Sequence, residues 1–64
     1  MVKTTRAQRV SLHNLWSRKD KQRPHETYCQ FRRRVQPEFG SGGAIMIEWC
    51  GMWIGVEPDG YAHS

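Results

Sequence analysis

The chain has 64 residues, of which 38% are hydrophobic and 11% aromatic, and its formal net charge is +4. This length allows one small domain, residues 1–64, and excludes a second, while the apolar content argues against full disorder. No apolar run approaches the roughly 18 residues of a membrane-spanning helix, and two cysteines allow at most one disulfide. We therefore expect a soluble cytoplasmic protein with reduced thiols and no membrane contact.

Positive charge is concentrated in the first half of the chain. Residues 1–35 contain all ten Lys and Arg residues and two acids, giving +8, whereas residues 36–64 contain four acids and no Lys or Arg, giving −4. A basic half joined to an acidic half favours contact with a polyanion, which in the cytoplasm is usually nucleic acid. The alternative is that the charge belongs to a solvated helix face.

The first predicted element is a helix within residues 5–19. Thr5 and Gln8 match a capping box, in which two side chains satisfy each other's free backbone donors, and residues 1–4 before it are expected to be flexible. Leu12, Leu15 and Trp16 then recur at helical spacing, with Ser11 as a second starting point. Residues 18–24 contain no apolar side chain and end at a proline, which predicts a basic connector.

A second helix is predicted to start between residues 24 and 28. Pro24 suits a first helical turn, and Thr27 with Gln30 forms another capping box. Helical spacing places three apolar side chains on one face: Tyr28, Phe31 and Val35. The opposite face carries Gln30, Arg33 and Arg34, with Arg32 at the border. Pro37 and a glycine-rich linker at residues 40–43 end this helix.

The last third of the chain predicts a β-hairpin over residues 44–57. Cys50 and Gly51 form a two-residue connection, and this loop length pairs alternating apolar residues. The predicted inner pairs are Trp49 with Met52, Ile47 with Ile54, and Ile45 with Val56. The other face carries Met46 opposite Gly55 and Glu48 opposite Trp53. Residues 62–64 are expected to be flexible or to return to the sheet edge.

The predicted fold class is α+β, with two or three short N-terminal helices in a helix-turn-helix arrangement followed by a C-terminal antiparallel hairpin. Over residues 11–57 this element order resembles the winged helix-turn-helix proteins of phages and mobile elements, including excisionase-type factors. The resemblance implies a DNA-binding regulatory or architectural protein, nucleoid-associated in the cell, with its second helix in the major groove. The hairpin has no Lys or Arg, so binding would depend on the helices and connector.

These elements give the candidate nucleic-acid-binding residues. Arg33 and Gln30 are the residue types that contact guanine and adenine bidentately, and both point away from the predicted core. Arg32 and Arg34 are expected to contact phosphates. The connector supplies the remaining candidates: Arg18, Lys19, Lys21 and Arg23.

The exposed hairpin face suggests other functions. Trp53 and Met46 beside a glycine form a candidate interface, either for a homodimer or for a host protein that the chain would bind or inhibit. In that second interpretation the basic half only increases solubility. A third interpretation is an RNA or single-strand binder, in which Trp53 would stack on a base.

Catalytic and metal chemistry find little support in the sequence. His25 and Cys29 lie four residues apart on the second helix, with Cys50 or His13 as further donors, but no paired ligand motif is present. A Cys29 nucleophile would also need an orienting third group and a concave pocket. We expect no enzyme activity, no metal and no cofactor.

Overall fold

A computed structural model describes residues 2–21, 23–39 and 42–64 of the chain. The helical elements are α1 (Arg6–Trp16), a 3-10 turn (Lys19–Lys21) and α2 (Tyr28–Arg33). The strands are β1 (Gln36–Pro37), β2 (Ile45–Trp49), β3 (Met52–Val56) and β4 (Ala62–His63). All neighbouring strands are antiparallel, in the order β1-β2-β3-β4. None of the helices among these residues is long and apolar enough to cross a bilayer.

The predicted arrangement of two or three helices followed by a two-stranded hairpin is wrong. The described chain forms one main helix, a second of only six residues, and a four-stranded sheet. Pro37, predicted to end the second helix, and Gln36 before it pair with β2; Ala62 and His63, predicted to be flexible or to return to the sheet edge, pair with β3. Two-residue strands are too short to show alternation, so only their neighbours in the sheet reveal them.

Both predicted helix starts are confirmed. Thr5 accepts the Gln8 amide hydrogen at 3.1 Å, and the Gln8 side chain accepts that of Thr5 at 2.8 Å. Thr27 and Gln30 repeat this reciprocal arrangement at 3.2 and 2.9 Å. Because each box satisfies two donors that a helix start leaves free, both helices begin where the sequence predicts. Helix α1 runs through Ser11 without a break.

The hairpin register is also confirmed. Ile47 lies opposite Ile54, and Glu48 lies opposite Trp53. Cys50 and Gly51 have φ values of 54° and 80°, and two positive values are what a type I′ turn requires. The turn therefore fixes which side chains of β2 and β3 face the helices. A predicted linker at residues 40–43 is described only from Gly42 onwards, so residues 40 and 41 lie outside the described part.

The hydrophobic core lies between the helices and one face of the sheet. Its buried cluster consists of Leu12, Leu15, Phe31, Val35, Ile45, Ile47, Ile54 and Val56. Trp49 packs against this cluster and donates its indole N–H to the Leu15 carbonyl at 3.2 Å. Met52, predicted for the same face, lies at the turn and stays 49% exposed. The opposite face of the sheet has no part in this core.

Gln8 is the buried polar residue that joins the helical layer to the sheet. It is 1% exposed, and its side-chain N–H groups donate to the carbonyls of Gly43 at 2.8 Å and Val56 at 3.1 Å. Its amide oxygen is the one that caps α1. One side chain therefore satisfies backbone groups in three segments, each of which would lose hydrogen bonding without it.

The turn between β3 and β4 docks on the start of α1. The Thr5 hydroxyl donates to the Pro58 carbonyl at 2.6 Å, and the Ser11 hydroxyl donates to that of Gly60. Gly60 has a φ of 91°, and a Cβ there would lie 2.9 Å from the Ala7 carbonyl oxygen. Only glycine accommodates both this backbone conformation and this close approach.

Replacing Gln8 with Ala tests its role in joining the two layers. Because the change leaves two carbonyls without their buried donor and opens the cap, we expect a loss of roughly 2–4 kcal/mol in unfolding free energy. The matched control is Gln30→Ala, which removes the same capping bond at an exposed site and is expected to cost about 1 kcal/mol or less. Urea unfolding of both variants measures the difference, and equal losses would contradict the prediction.

Candidate nucleic-acid interface

Arg34 follows the last residue of α2 and holds three segments together. Its Nε and one terminal nitrogen donate to the two carboxylate oxygens of Glu26 at 2.8 and 3.0 Å. Its other terminal nitrogen donates to the Glu48 carbonyl at 2.7 Å. The Glu26 side chain is only 8% exposed, so this bidentate pair is largely removed from water. The predicted phosphate ligand Arg34 thus binds the 23–26 segment and β2 to α2.

Arg23 lies at the outer rim of the same network. Its guanidinium is 3.5 Å from the Glu26 carboxylate and 3.6 Å from that of Glu48, and its side chain is 59% exposed. Ion pairs this long and this exposed contribute little to stability, because water and salt screen them. Arg23 can therefore exchange these partners for a phosphate at small energetic cost.

Two open grooves flank α2. The first, of about 760 Å³, is lined by residues 23–26 together with Gln30, Arg33 and Arg34. The second, of about 570 Å³, lies between the N-terminal segment and the end of α2 and is lined by Val2, Arg32, Arg33 and Val35. Arg33 belongs to both grooves, so it forms the ridge between them. The fold thus gathers five of the eight predicted nucleic-acid-binding residues around α2.

Arg33 differs from its two neighbours because it has no internal partner among residues 2–21, 23–39 and 42–64. It is exposed, and within the described residues its side chain makes no ion pair or hydrogen bond. Arg32, by contrast, donates to the Thr4 hydroxyl at 3.3 Å and lies 5.8 Å from the centre of the Tyr28 ring. Arg9 donates to the Thr4 carbonyl at 3.0 Å, so a second guanidinium from α1 converges on the same residue.

Gln30 has only part of its side chain available to a ligand. Its amide oxygen accepts the Thr27 backbone N–H at 2.9 Å, as the capping box requires. Bidentate contact with adenine, which was predicted for Gln30, uses both the oxygen and the nitrogen of the amide. In this conformation Gln30 can offer a ligand only the N–H donors that face the first groove.

Arg18 and Lys21, unlike the connector residue Arg23, do not line the two grooves around α2. Arg18 lines a separate groove of about 210 Å³ beside Ala62, which shares no residue with the other two. The Lys21 carbonyl accepts the Cys50 thiol at the hairpin turn. Lys19 begins the 3-10 turn, and its side chain lies outside the described part of the structure. Arg18 thus lines a different groove from the five candidates around α2.

The aromatic rings of the basic half pack on one another. His13 lies 5.3 Å from both Trp16 and Tyr28, and the last two rings are 5.6 Å apart. The Trp16 indole donates to the Glu26 carbonyl at 2.9 Å. The largely exposed aromatic side chains are instead Phe39, Trp53 and Tyr61, all in the half of the chain that lacks Lys and Arg.

The remaining sequence candidates lie away from α2 or remain separate. Trp53 is 51% exposed and Met46 is half-buried, both on the sheet face that turns away from the helices. Cys29 and Cys50 are exposed free thiols. Over residues 2–21, 23–39 and 42–64, His, Cys, Asp and Glu side chains do not gather in a group of three that would suit a metal ion.

Sequence reasoning missed the residues that organise this site. Glu26 and Glu48 fix Arg34, and the Thr4 hydroxyl accepts a hydrogen bond from Arg32. One signal was available, because Glu26 is one of only two acids among residues 1–35 and an isolated acid in a basic segment suggests an internal ion pair. The spacing of Glu26 and Arg34, eight residues apart across a helix start, follows no helical or strand pattern.

Comparisons with protein-family models, curated proteins and solved structures find no match to this chain. The resemblance to winged helix-turn-helix proteins therefore stays a prediction. What can be said of the function depends on the charge, exposure and geometry of the residues around α2.

The adjacent residues Arg33 and Arg34 give opposite predictions for stability. Arg34→Ala leaves the Glu26 carboxylate buried without its bidentate partner, so we expect a loss of about 3 kcal/mol in unfolding free energy. Arg33→Ala removes an exposed side chain and is expected to change stability by less than about 0.5 kcal/mol. Chemical denaturation measures both changes. A stable Arg34→Ala variant would show that the ion pair does not hold α2 in place.

Proposed function

We propose that this protein binds duplex DNA through the surface around α2, with Arg33 as the central contact. The observation that carries the proposal is that Arg33 is exposed, free of internal partners in the described structure and shared by two open grooves. Arg23 and Arg32 flank it, and guanidinium groups are the preferred protein ligands of phosphate. Contacts of this kind supply most of the affinity of DNA-binding proteins.

The dimensions of α2 are compatible with contact in the major groove. An α-helix with its side chains is about 10–12 Å in diameter, and the major groove is about 12 Å wide, so the groove admits a helix such as α2. Arg33 is its last residue and projects away from the core, so a guanine edge is within the reach of its side chain. Arg23 and Arg32, on either side, would then contact the two phosphate backbones.

Several features favour duplex DNA over a single strand. Single-strand binders combine a basic groove with exposed aromatic rings on which bases stack. In this protein the rings nearest α2 pack on one another, and Tyr28 already has Arg32 over its face. The exposed Trp53 lies opposite Glu48, in a half of the chain without Lys or Arg, where phosphate would meet repulsion.

Titrations with duplex DNA, single-stranded DNA and duplex RNA at several salt concentrations test the proposal. Three or four phosphate contacts predict tightest binding to duplex DNA and a slope of about −3 to −4 for log K against log salt. Arg33→Ala is expected to weaken binding to a selected sequence by about 1–3 kcal/mol and to relax preference at one base pair. Arg23→Ala, which removes a proposed phosphate contact, is expected to weaken binding to all sequences alike.

The matched control for Arg33→Ala is Arg18→Ala, which removes the same charge from a separate groove that shares no residue with the two around α2. It is expected to weaken binding less than Arg33→Ala, because Arg18 shares no groove with α2. Equal losses of affinity for both variants would show that the effect comes from net charge alone. If Arg33→Ala weakens binding to selected and random DNA equally, Arg33 does not contact a base. Tighter binding to a single strand or to RNA would contradict the proposal that the ligand is duplex DNA.

A further inference from the structure

Two arginines from different helices converge on Thr4, beside the second groove. Arg9 of α1 donates from a terminal guanidinium nitrogen to the Thr4 carbonyl at 3.0 Å. Arg32 of α2 donates from a terminal nitrogen to the Thr4 hydroxyl at 3.3 Å. Arg9 is exposed and Arg32 is half-buried. Because both guanidinium groups contact one residue, they share a small part of the surface although they belong to different helices.

Two further side chains hold this arrangement in place. The Tyr28 hydroxyl donates to the Arg9 carbonyl at 3.4 Å, and the Arg32 guanidinium lies 5.8 Å from the centre of the Tyr28 ring. Val2 packs against the hydrophobic core and lines the second groove, so Thr4 lies between two anchored positions, Val2 and the N-cap residue of α1. The two arginines and Thr4 are therefore held together before any ligand binds, which lowers the entropic cost of binding one.

The positive charge of this pair has no counter-charge within the described residues. Neither Arg9 nor Arg32 forms an ion pair there. Residues 1–35 contain two acids, and one of them, Glu26, is bound by Arg34. Two cations held close together repel each other, so an anion that binds to both removes this repulsion in addition to its own attraction.

The donors that remain on these residues match the acceptors of a phosphate group. A guanidinium carries five N–H donors, and each arginine uses one nitrogen on Thr4. The Thr4 hydroxyl accepts from Arg32, and its own hydrogen has no acceptor among the described residues. Phosphate oxygens accept from guanidinium groups bidentately, so both arginines and the hydroxyl can donate to one phosphate.

We propose that Arg9, Arg32 and the Thr4 hydroxyl form a binding site for one phosphate group, which we call the Thr4 clamp. The inference rests on the proposed function in one respect, that this phosphate belongs to the backbone of bound DNA. Arg32 and Arg33 line the same groove, so a phosphate held by the clamp fixes the position of the duplex while Arg33 contacts a base edge.

Titrations with duplex DNA at several salt concentrations separate the clamp from simple charge. Arg9→Ala removes a phosphate contact, so we expect about fivefold weaker binding and a slope of log K against log salt that falls in magnitude by about 1. Arg9→Lys and Thr4→Val keep every charge, so the slope is expected to stay unchanged. Each loses part of the donor set and is expected to weaken binding by about threefold.

The matched control is Arg18→Lys, which makes the same exchange in a groove separate from α2 and is expected to change neither the affinity nor the slope. Arg9 is exposed and Arg9→Lys keeps its charge, so this variant is expected to fold as the unaltered chain does, which urea unfolding checks. If the unaltered chain binds DNA and both Arg9→Lys and Thr4→Val bind equally well, the clamp is overturned and the proposed function stands.

A titration with inorganic phosphate tests the clamp without DNA. Phosphate from about 1 to 50 mM at constant ionic strength is expected to shift the NMR signals of the Thr4 amide and of the Arg9 and Arg32 Nε–H groups. Acetate is expected to shift them much less, and Arg9→Lys is expected to reduce the response to phosphate. Shifts of equal size at Arg6 and Arg18, or an equal response to acetate, would overturn the clamp.

The two titrations together distinguish the source of the phosphate. Weaker DNA binding by the charge-conserving clamp variants assigns the phosphate to the DNA backbone. If the unaltered chain binds no DNA but phosphate shifts the Thr4 signal, the proposed function is wrong and the clamp is a site for a free phosphate or a phosphomonoester. If the chain responds to neither ligand, both proposals are wrong.

Discussion

The arrangement of the whole chain depends on how one buried amide, that of Gln8, satisfies backbone groups in three segments. Its oxygen caps α1, and its nitrogen holds the carbonyls of Gly43 and Val56. In a chain of this size the apolar core is small. Hydrogen bonds are directional, so a buried polar side chain that makes all of its hydrogen bonds fixes the relative positions of segments more specifically than apolar packing does. The docking of the Pro58–Gly60 turn on α1 follows from the same placement, and α2 packs against both layers through Phe31.

Neighbouring arginines on α2 have different roles because the helix turns them toward different surroundings. Arg34 forms a bidentate ion pair with the nearly buried Glu26 and holds segments of the fold together, whereas Arg33, one residue earlier, is exposed and has no ion pair or hydrogen bond within the described residues. Arg32 points to the N-terminal segment and lies over Tyr28. A run of three arginines thus contains one structural residue, one partly anchored residue and one that is free to bind, so the run cannot be treated as a uniform basic patch.

The two sides of the molecule offer different chemistry to partners. Around α2, cations outnumber acids, and Arg33 lacks an internal partner within the described residues. On the sheet face turned away from the helices, Glu48 lies 3.6 Å from Arg34, and Trp53 and Tyr61 are exposed aromatic side chains.

The sequence by itself determined the features that depend on local spacing. Three features depend on residues within a few positions of one another, where the helix and strand periods determine which side chains meet. They are the capping boxes at Thr5 and Thr27, the register of β2 with β3, and the exposure of Trp53. Strands β1 and β4 are too short to have a period, and they exist because β2 and β3 offer hydrogen-bonding edges. The different roles of Arg33 and Arg34 likewise became visible only in the tertiary structure, because Glu26 and Glu48 reach Arg34 only after the chain has folded. Local pattern thus predicted which elements form around α1 and the hairpin, and long-range contacts decided the sheet's edges and which arginine remains available to a ligand.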